Sequence, residues 1–410
     1  MSHEAGDIRK EDAAAVRRDE VLLPEGNLWA RLPLVGAGLA AIGLAVAAAA
    51  GRGDPTRVLA AWLVAFVFFL TLVLGCLYFV LMHTAAQGGW GVAVRRLAED
   101  AAATLPLFVL LFLPVALGLR HLYPWSHADA VASDALLRWK RPYLNEGFFY
   151  ARAALYFVVW SAIALWFLSL SARQDETADP GLSARLRRWS GPLLIPLGLT
   201  HTFAAFDWLM SLDPGWYSTI YGVYSFSGAL VAAMAFLAIV TVLMKRSGPL
   251  APLLSSEHLH DMGRLLFTFT VFWAYIGFSQ YLLIWYGNIP EETVWYRHRL
   301  EGPWLAISVV LALGHFVVPF FFLLPRSTKR HPTALVGAAA WMLLMHLVDV
   351  YWMVVPDVPG HPALPGVVDA AALLAVGGAF LAVFGWLLRR HALVPVGDPR
   401  LSESLAFENV

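Results

Sequence analysis

Residues 59–82, LAAWLVAFVFFLTLVLGCLYFVLM, contain no Asp, Glu, Lys, Arg or His. A helix of this length, rising about 1.5 Å per residue, crosses a hydrocarbon layer about 30 Å thick. The pattern recurs along the chain. Hydropathy windows give ten spans, at 30–50, 59–82, 102–120, 148–171, 191–211, 216–244, 262–288, 303–325, 333–355 and 368–390. Of the 410 residues, 59% are hydrophobic and 14% charged, where a soluble domain carries about a quarter charged residues. Mean hydropathy is +0.63. The reading is an all-α integral membrane protein of about ten transmembrane helices. Spacing groups them as two outer helices followed by two four-helix bundles, 102–244 and 262–390.

The weakest span is the third, bounded by Asp100 and Arg120 and interrupted by Pro106 and Pro114. The tail 1–29 lacks the early apolar stretch of a signal peptide, so no cleavage is expected. The membrane domain is 30–390, and 391–410 forms a second polar tail. Both tails are expected to lie on a partner or stay mobile. An even number of spans puts both termini on one side. Twenty of the 29 lysines and arginines fall on that side, so the positive-inside rule makes it cytoplasmic. Outer loops are then 51–58, 121–147, 212–215, 289–302 and 356–367. Arg185, Arg187 and Arg188 beside Trp189 suit anionic lipid. No nucleic-acid reader motif is present. The one cysteine, Cys76, reads as a small packing residue, and neither an intrachain disulfide nor covalent haem is available to it.

Ionisable residues inside a bilayer cost several kcal/mol and default to functional candidates with a partner. Here they are His201 and Asp207 in span five, His315 in span eight, and His346 and Asp349 in span nine. Asp213 opens Asp-Pro-Gly, a tight turn that makes spans five and six a hairpin. Trp208, Trp216, Tyr217, Tyr351 and Trp352 are expected in the aromatic belt. Asp207 either snorkels to the headgroups or is the outer carboxylate of a buried proton path. Six residues at about 100° each put His201 and Asp207 on different faces. His346 and Asp349, at i and i+3, share a face and can share a proton. In span seven Thr268, Tyr275 and Ser279 form one stripe, lining a helix contact or a wet path. Proton-path candidates are therefore His201, Asp207, Tyr275, Ser279, His315, His346 and Asp349.

After span seven, Gly287, Asn288 and Pro290 stop the helix, and Glu291, Glu292 and Arg297 crowd the outer loop as a docking edge or proton exit. His201 and His315 lie near mid-membrane, which leaves bis-imidazole haem b open as an alternative. No compact metal-ligand cluster is visible.

Two stretches, FDWLMSLDPGWYSTIYGVYSFSG (206–228) and QYLLIWYGNIPEETVWYRHR (280–299), resemble the F subunit of bacterial alternative complex III. That family is related to the NrfD and polysulfide-reductase membrane subunits, and the likeness covers nearly all ten spans. It implies a subunit of a quinol:electron-acceptor oxidoreductase in the inner membrane. Such a subunit has no covalently bound cofactor or redox centre of its own, scaffolds the complex, and either conducts protons or contacts quinone (menaquinone). The implied partners are a paralogous quinol-binding membrane subunit, a pentahaem cytochrome c, an iron–sulfur subunit, smaller membrane chains and a terminal oxidase. Haem and iron–sulfur clusters belong to those partners. A stand-alone secondary transporter is the alternative, although the Pro and Gly interruptions form no matched pair.

Overall fold

The computed structural model describes residues 16–248, 250–358 and 364–408. Ten helices among them are long and apolar enough to cross a membrane: α1 (Leu28–Ala50), α2 (Pro55–Ala86), α3 (Val92–Leu117), α4 (Glu146–Thr177), α5 (Pro180–Leu212), α6 (Tyr221–Ser247), α7 (Ser256–Gly287), α8 (Pro303–Leu323), α9 (Pro332–Asp357) and α10 (Val367–Leu388). No strand occurs among the described residues. The protein is an all-α, multi-pass membrane protein. The end holding both terminal segments is called here the terminal end, and the other the far end.

Local chemistry sets the helix ends. Asp54 caps α2, its carboxylate accepting from Arg57 N, with Pro55 in the first turn. Asn145 caps α4 by accepting from Phe148 N. The helices α2, α4 and α7 stop at Gln87, Ala178 and Asn288, each in the left-handed conformation.

The helices α2 and α6 are almost wholly buried and pack on each other at the centre. The helices α3 and α5 pack on α2, and α4 closes that ring against them; α7 and α9 pack on α6, and α8 closes the second ring against them. The two four-helix bundles are thus α2–α5 and α6–α9, and the peripheral pair is α1 with α10. This shifts the grouping expected from sequence by one helix. The cause lies in small residues: Gly36, Gly43 and Gly378 bring the backbones of α1 and α10 so close that any Cβ there would strike the facing helix. Such small-residue contacts join membrane helices that are distant in sequence.

Span three also differs. The helix begins at Val92, ten residues before the expected 102, and carries Arg95, Arg96, Glu99 and Asp100 into the protein, all buried. Arg95 pairs with Glu99 and Asp398 (both 2.8 Å), Arg96 with Glu99 (3.0 Å) and Asp175 (2.7 Å), and His391 Nδ1 with Asp100 (2.8 Å). These pairs fix the segment after α10 onto its own chain. The expectation that residues 391–408 lie on a partner or stay mobile is corrected accordingly. Most of the N-terminal tail and residues 409–410 lie outside the described residues.

At the far end the expected loop 289–302 is largely helical, Pro290–Leu300. Proline at its first position, Glu291 and Glu292 in the first turn, and Arg297, His298 and Arg299 in the last all favour it. The expected belt residues Trp208, Trp216, Tyr351 and Trp352 are instead buried, and only Tyr217 is exposed. Trp216 stacks on Trp295 with centroids 4.4 Å apart, and Trp352 Nε1 donates to Ser308. These rings pack the short far-end helix onto both bundles.

Candidate functional site

Asp349 sits on α9, 1% exposed, facing α6 and α7. The Tyr224 hydroxyl from α6 donates to one carboxylate oxygen, and Trp273 Nε1 from α7 donates to the other at 2.9 Å. His346, one turn earlier, is also buried, and its Nε2 bonds Thr71 Oγ1 of α2 at 2.9 Å. Both His346 and Asp349 lie against Gly228 of α6, where a Cβ would meet the imidazole at 3.0 Å. Each side chain bonds another helix and neither bonds the other. The pair that the i, i+3 spacing suggested is a pair of neighbours, each with its own partner.

His315 completes the cluster. It lies on a π-helical stretch, Leu311–Val317, within α8. Such bulges recur at functional sites because the widened turn re-aims one side chain and frees a carbonyl. Here the carbonyl of Gly314 accepts from Trp341 Nε1 at 2.7 Å. The His315 ring lies 3.8 Å from the Trp273 ring, and neither of its nitrogens has a hydrogen-bond partner among the described residues. His346 Nδ1 and His201 Nδ1 are also buried without one. Most buried polar side-chain atoms in proteins find a partner or an ordered water, and such nitrogens can each bond a water.

His201, on α5, bonds Ser225 Oγ of α6 at 3.0 Å. It stands in the first bundle and His315 in the second, with side chains of α6 and α7 against their rings. They do not face each other as haem ligands would. Ser225, His201 and Thr71 line one small cavity between α2, α4, α5 and α6. A discontinuous polar line therefore runs from Asp349 and His346 through Thr71 to His201.

A membrane-facing apolar groove of about 560 Å³ opens between α7 and α8. Its wall includes Trp273 and Tyr224, the two donors to Asp349, together with Tyr275, Phe278, Leu311 and Trp352. An apolar molecule entering from the bilayer would meet two side chains already hydrogen-bonded to the buried carboxylate. Tyr275, 66% exposed, stands at the groove, and Ser279 lies on the same outward face of α7.

Asp207 is placed apart from this cluster. Its carboxylate is fully buried and does not snorkel to the surface. It accepts from Arg152 Nε (2.7 Å) and Nη2 (2.8 Å) and from the Tyr156 hydroxyl (2.7 Å). The guanidinium also donates to the Tyr143 carbonyl and lies over the Tyr143 and Phe148 rings. A bidentate arginine fixes the position of a carboxylate as well as pairing with it. Arg152, taken from sequence only as one more outer cation, is the partner that reading lacked. A second buried pair escaped it as well. Arg299 is fully buried, pairs with Asp357 at 2.7 Å, donates to the carbonyls of Trp352 and Met353, and stacks on Trp295 at 3.4 Å. Four donors of one guanidinium thereby close the far end of α9. Of the loop residues singled out, Glu291 and Arg297 are exposed, Glu292 is half-buried, and Arg297 pairs with Glu301 at 2.8 Å.

Asp213 holds its turn as expected: its carboxylate accepts from Gly215 N at 3.0 Å and its carbonyl from Trp216 N at 3.2 Å. Burial, followed by the nearby Asp357, raises its carboxyl above the usual range. Among the described residues no group of three or more His, Cys, Asp or Glu side chains is placed to hold a metal ion. No protein-family model matches this sequence, and no curated protein matches it.

Proposed function

We propose that this chain is an integral membrane subunit of a bacterial respiratory quinol:electron-acceptor oxidoreductase, of the kind its sequence resembles, the F subunit of alternative complex III. It scaffolds the complex in the inner membrane with its terminal end cytoplasmic, receives quinone or quinol at the α7–α8 groove, and moves protons through the cluster behind it. The implied partners are the paralogous membrane subunit, the multihaem cytochrome and the iron–sulfur protein, which carry the electrons.

The observation that supports this most is the join between groove and carboxylate. The groove is apolar and open to the bilayer, as a ring with an isoprenoid tail requires, and Tyr224 and Trp273 form part of its wall while donating to Asp349. Quinol bound there would supply two protons and two electrons. The Trp273 indole orients a ring by stacking and by its N–H. The Tyr224 hydroxyl passes a proton to the Asp349 oxygen it already touches. His346, Thr71, Ser225 and His201 continue the polar line into the first bundle, where water in the small cavity spans the gaps. The Arg152–Asp207 and Arg299–Asp357 pairs hold the far end rigid around that line.

The test uses the complex purified whole and placed in vesicles. A photoreactive quinone should label α7 or α8 within the groove. Asp349→Asn, which keeps size and hydrogen bonding but cannot ionise, should leave the complex assembled and lower the rate of quinol-driven proton release about a hundredfold, the low end for a proton-transfer group. Labelling confined to other subunits, together with normal proton release in Asp349→Asn, would end the proposal.

A further inference from the structure

Most polar groups in the wall of the α7–α8 groove are already engaged. The Tyr224 hydroxyl and Trp273 Nε1 both donate to Asp349. Ser308 Oγ donates to the Arg299 carbonyl at 2.7 Å, and Trp352 Nε1 donates to Ser308 Oγ at 2.8 Å. Tyr296, which also lines the groove, is different. Its hydroxyl accepts from Gln280 Nε2 at 3.0 Å, and no described residue accepts its own proton. A phenol has one O–H and two lone pairs, so the bond from Gln280 leaves the donor free. Burial raises this hydroxyl above its ordinary pKa, so it keeps that proton at neutral pH. The hydroxyl is also held in place. Tyr296 is 8% exposed, and its ring packs edge-on against Tyr281 and Trp295 with centroids 5.2 and 4.9 Å apart. Gln280 is buried and fixed in turn, its Oε1 accepting from Ser218 Oγ at 2.8 Å. The other phenols of the wall lack such support. Tyr275 is 66% exposed, and Tyr281 is half-exposed with no side chain bonded to its oxygen among the described residues.

We infer that Tyr296 is the hydrogen-bond donor of the α7–α8 groove, giving its O–H to a carbonyl oxygen of the quinone, with Gln280 as the positioning residue that holds the phenol from behind. The inference rests on the quinone reading of this groove and gives the ligand an orientation. The headgroup is held through a carbonyl acceptor at Tyr296, and the isoprenoid tail leaves through the opening toward the bilayer. A donor fixed before the ligand arrives binds with little side-chain ordering left to do, which favours affinity. The roles of the two phenols differ accordingly: Tyr224 is tied to the buried carboxylate, whereas Tyr296 has its proton free for the ligand.

The experiment uses the full chain in lipid discs and a short-chain menaquinone analogue isotopically labelled at its two carbonyl carbons, followed by infrared difference spectroscopy. In the wild type one carbonyl stretch should move to lower frequency on binding. Tyr296→Phe should lose that shift and bind the analogue about fivefold more weakly, the effect of one neutral hydrogen bond. It should bind a naphthalene of the same shape without carbonyls as tightly as the wild type does. Because Tyr296→Phe strands the Gln280 amide, Tyr296→Phe/Gln280→Leu, which removes both groups, is measured beside it, with the same loss expected. Tyr281→Phe should keep both the shift and the affinity. Unshifted carbonyls in the wild type, a shift that survives in Tyr296→Phe, a shift lost in Tyr281→Phe, or equal weakening of the carbonyl-free naphthalene each overturns the inference and leaves the quinone reading of the groove standing. If a photoreactive form of the analogue labels neither α7 nor α8 in the wild type, both fall together.

Discussion

Asp207 offers the sharpest test of how the far end is held. Its carboxylate is fully buried and takes two bonds from Arg152 and one from Tyr156, all between 2.7 and 2.8 Å. Removing one partner of a buried ion pair costs about 3–5 kcal/mol, because the other charge is left uncompensated. In Asp207→Asn the stranded guanidinium keeps its contacts with the Tyr143 and Phe148 rings, which offset about 1 kcal/mol. The expected loss is therefore about 3 kcal/mol. Arg152→Met strands the anion with only the Tyr156 hydroxyl and should cost about 4 kcal/mol. The double variant Arg152→Met/Asp207→Leu buries no charge. It leaves the Tyr143 carbonyl and the Tyr156 hydroxyl without these partners and should cost about 1–2 kcal/mol, less than either single change. Reversible unfolding of the purified chain from mild detergent into dodecyl sulfate, run as a double-mutant cycle, measures all three. Additive single losses below about 1 kcal/mol would refute the reasoning. If Asp207→Asn instead kept full stability and lost only proton release, Asp207 would belong to the proton path and the ion pair would be incidental.

Other consequences are simpler to state. Gly378→Val should force α1 away from α10, at about 1–3 kcal/mol by overpacking; unchanged protection of α1 from proteolysis would contradict it. Arg299→Lys cannot supply the four bonds that close α9 and should lower the thermal midpoint more than Arg297→Lys, which alters an exposed pair. Asp213→Asn keeps the acceptor for Gly215 and removes a carboxylate whose pKa burial has raised. A raised carboxyl favours the protonated fold, so the wild type loses stability as pH climbs from the unfolded value of about 4 through the folded one. The asparagine variant should match it at low pH and exceed it slightly at pH 7; an advantage appearing only in acid would invert the sign.

The spans were legible because hydropathy depends on composition alone, and the ten runs in the sequence match the ten helices. Which helix packs on which was not legible, since loop lengths do not reveal that Gly36, Gly43 and Gly378 let the first helix reach the last. Arg152, at the start of span four, and Arg299, in the outer loop, were both read only as outer-side cations because their partners, Asp207 and Asp357, lie 55 and 58 residues away. The charged start of α3 read as a loop for the same reason: its pairing with Asp175 and Asp398 exists only in three dimensions. The nearness of His346 and Asp349 was visible from their spacing, whereas their bonds to Thr71, Tyr224 and Trp273 cross between helices and leave no local signal. The π-helical turn that carries His315 has no sequence mark beyond an ordinary apolar run.

The central claim, membership of a quinol-oxidising assembly, is tested most directly by isolating the chain from its native membrane in mild detergent and identifying what accompanies it. The account predicts a multihaem cytochrome, an iron–sulfur protein and a second, paralogous ten-span chain in constant proportion. Recovery of the chain alone or as a homo-oligomer, with transport activity in vesicles and no cytochrome, would contradict it.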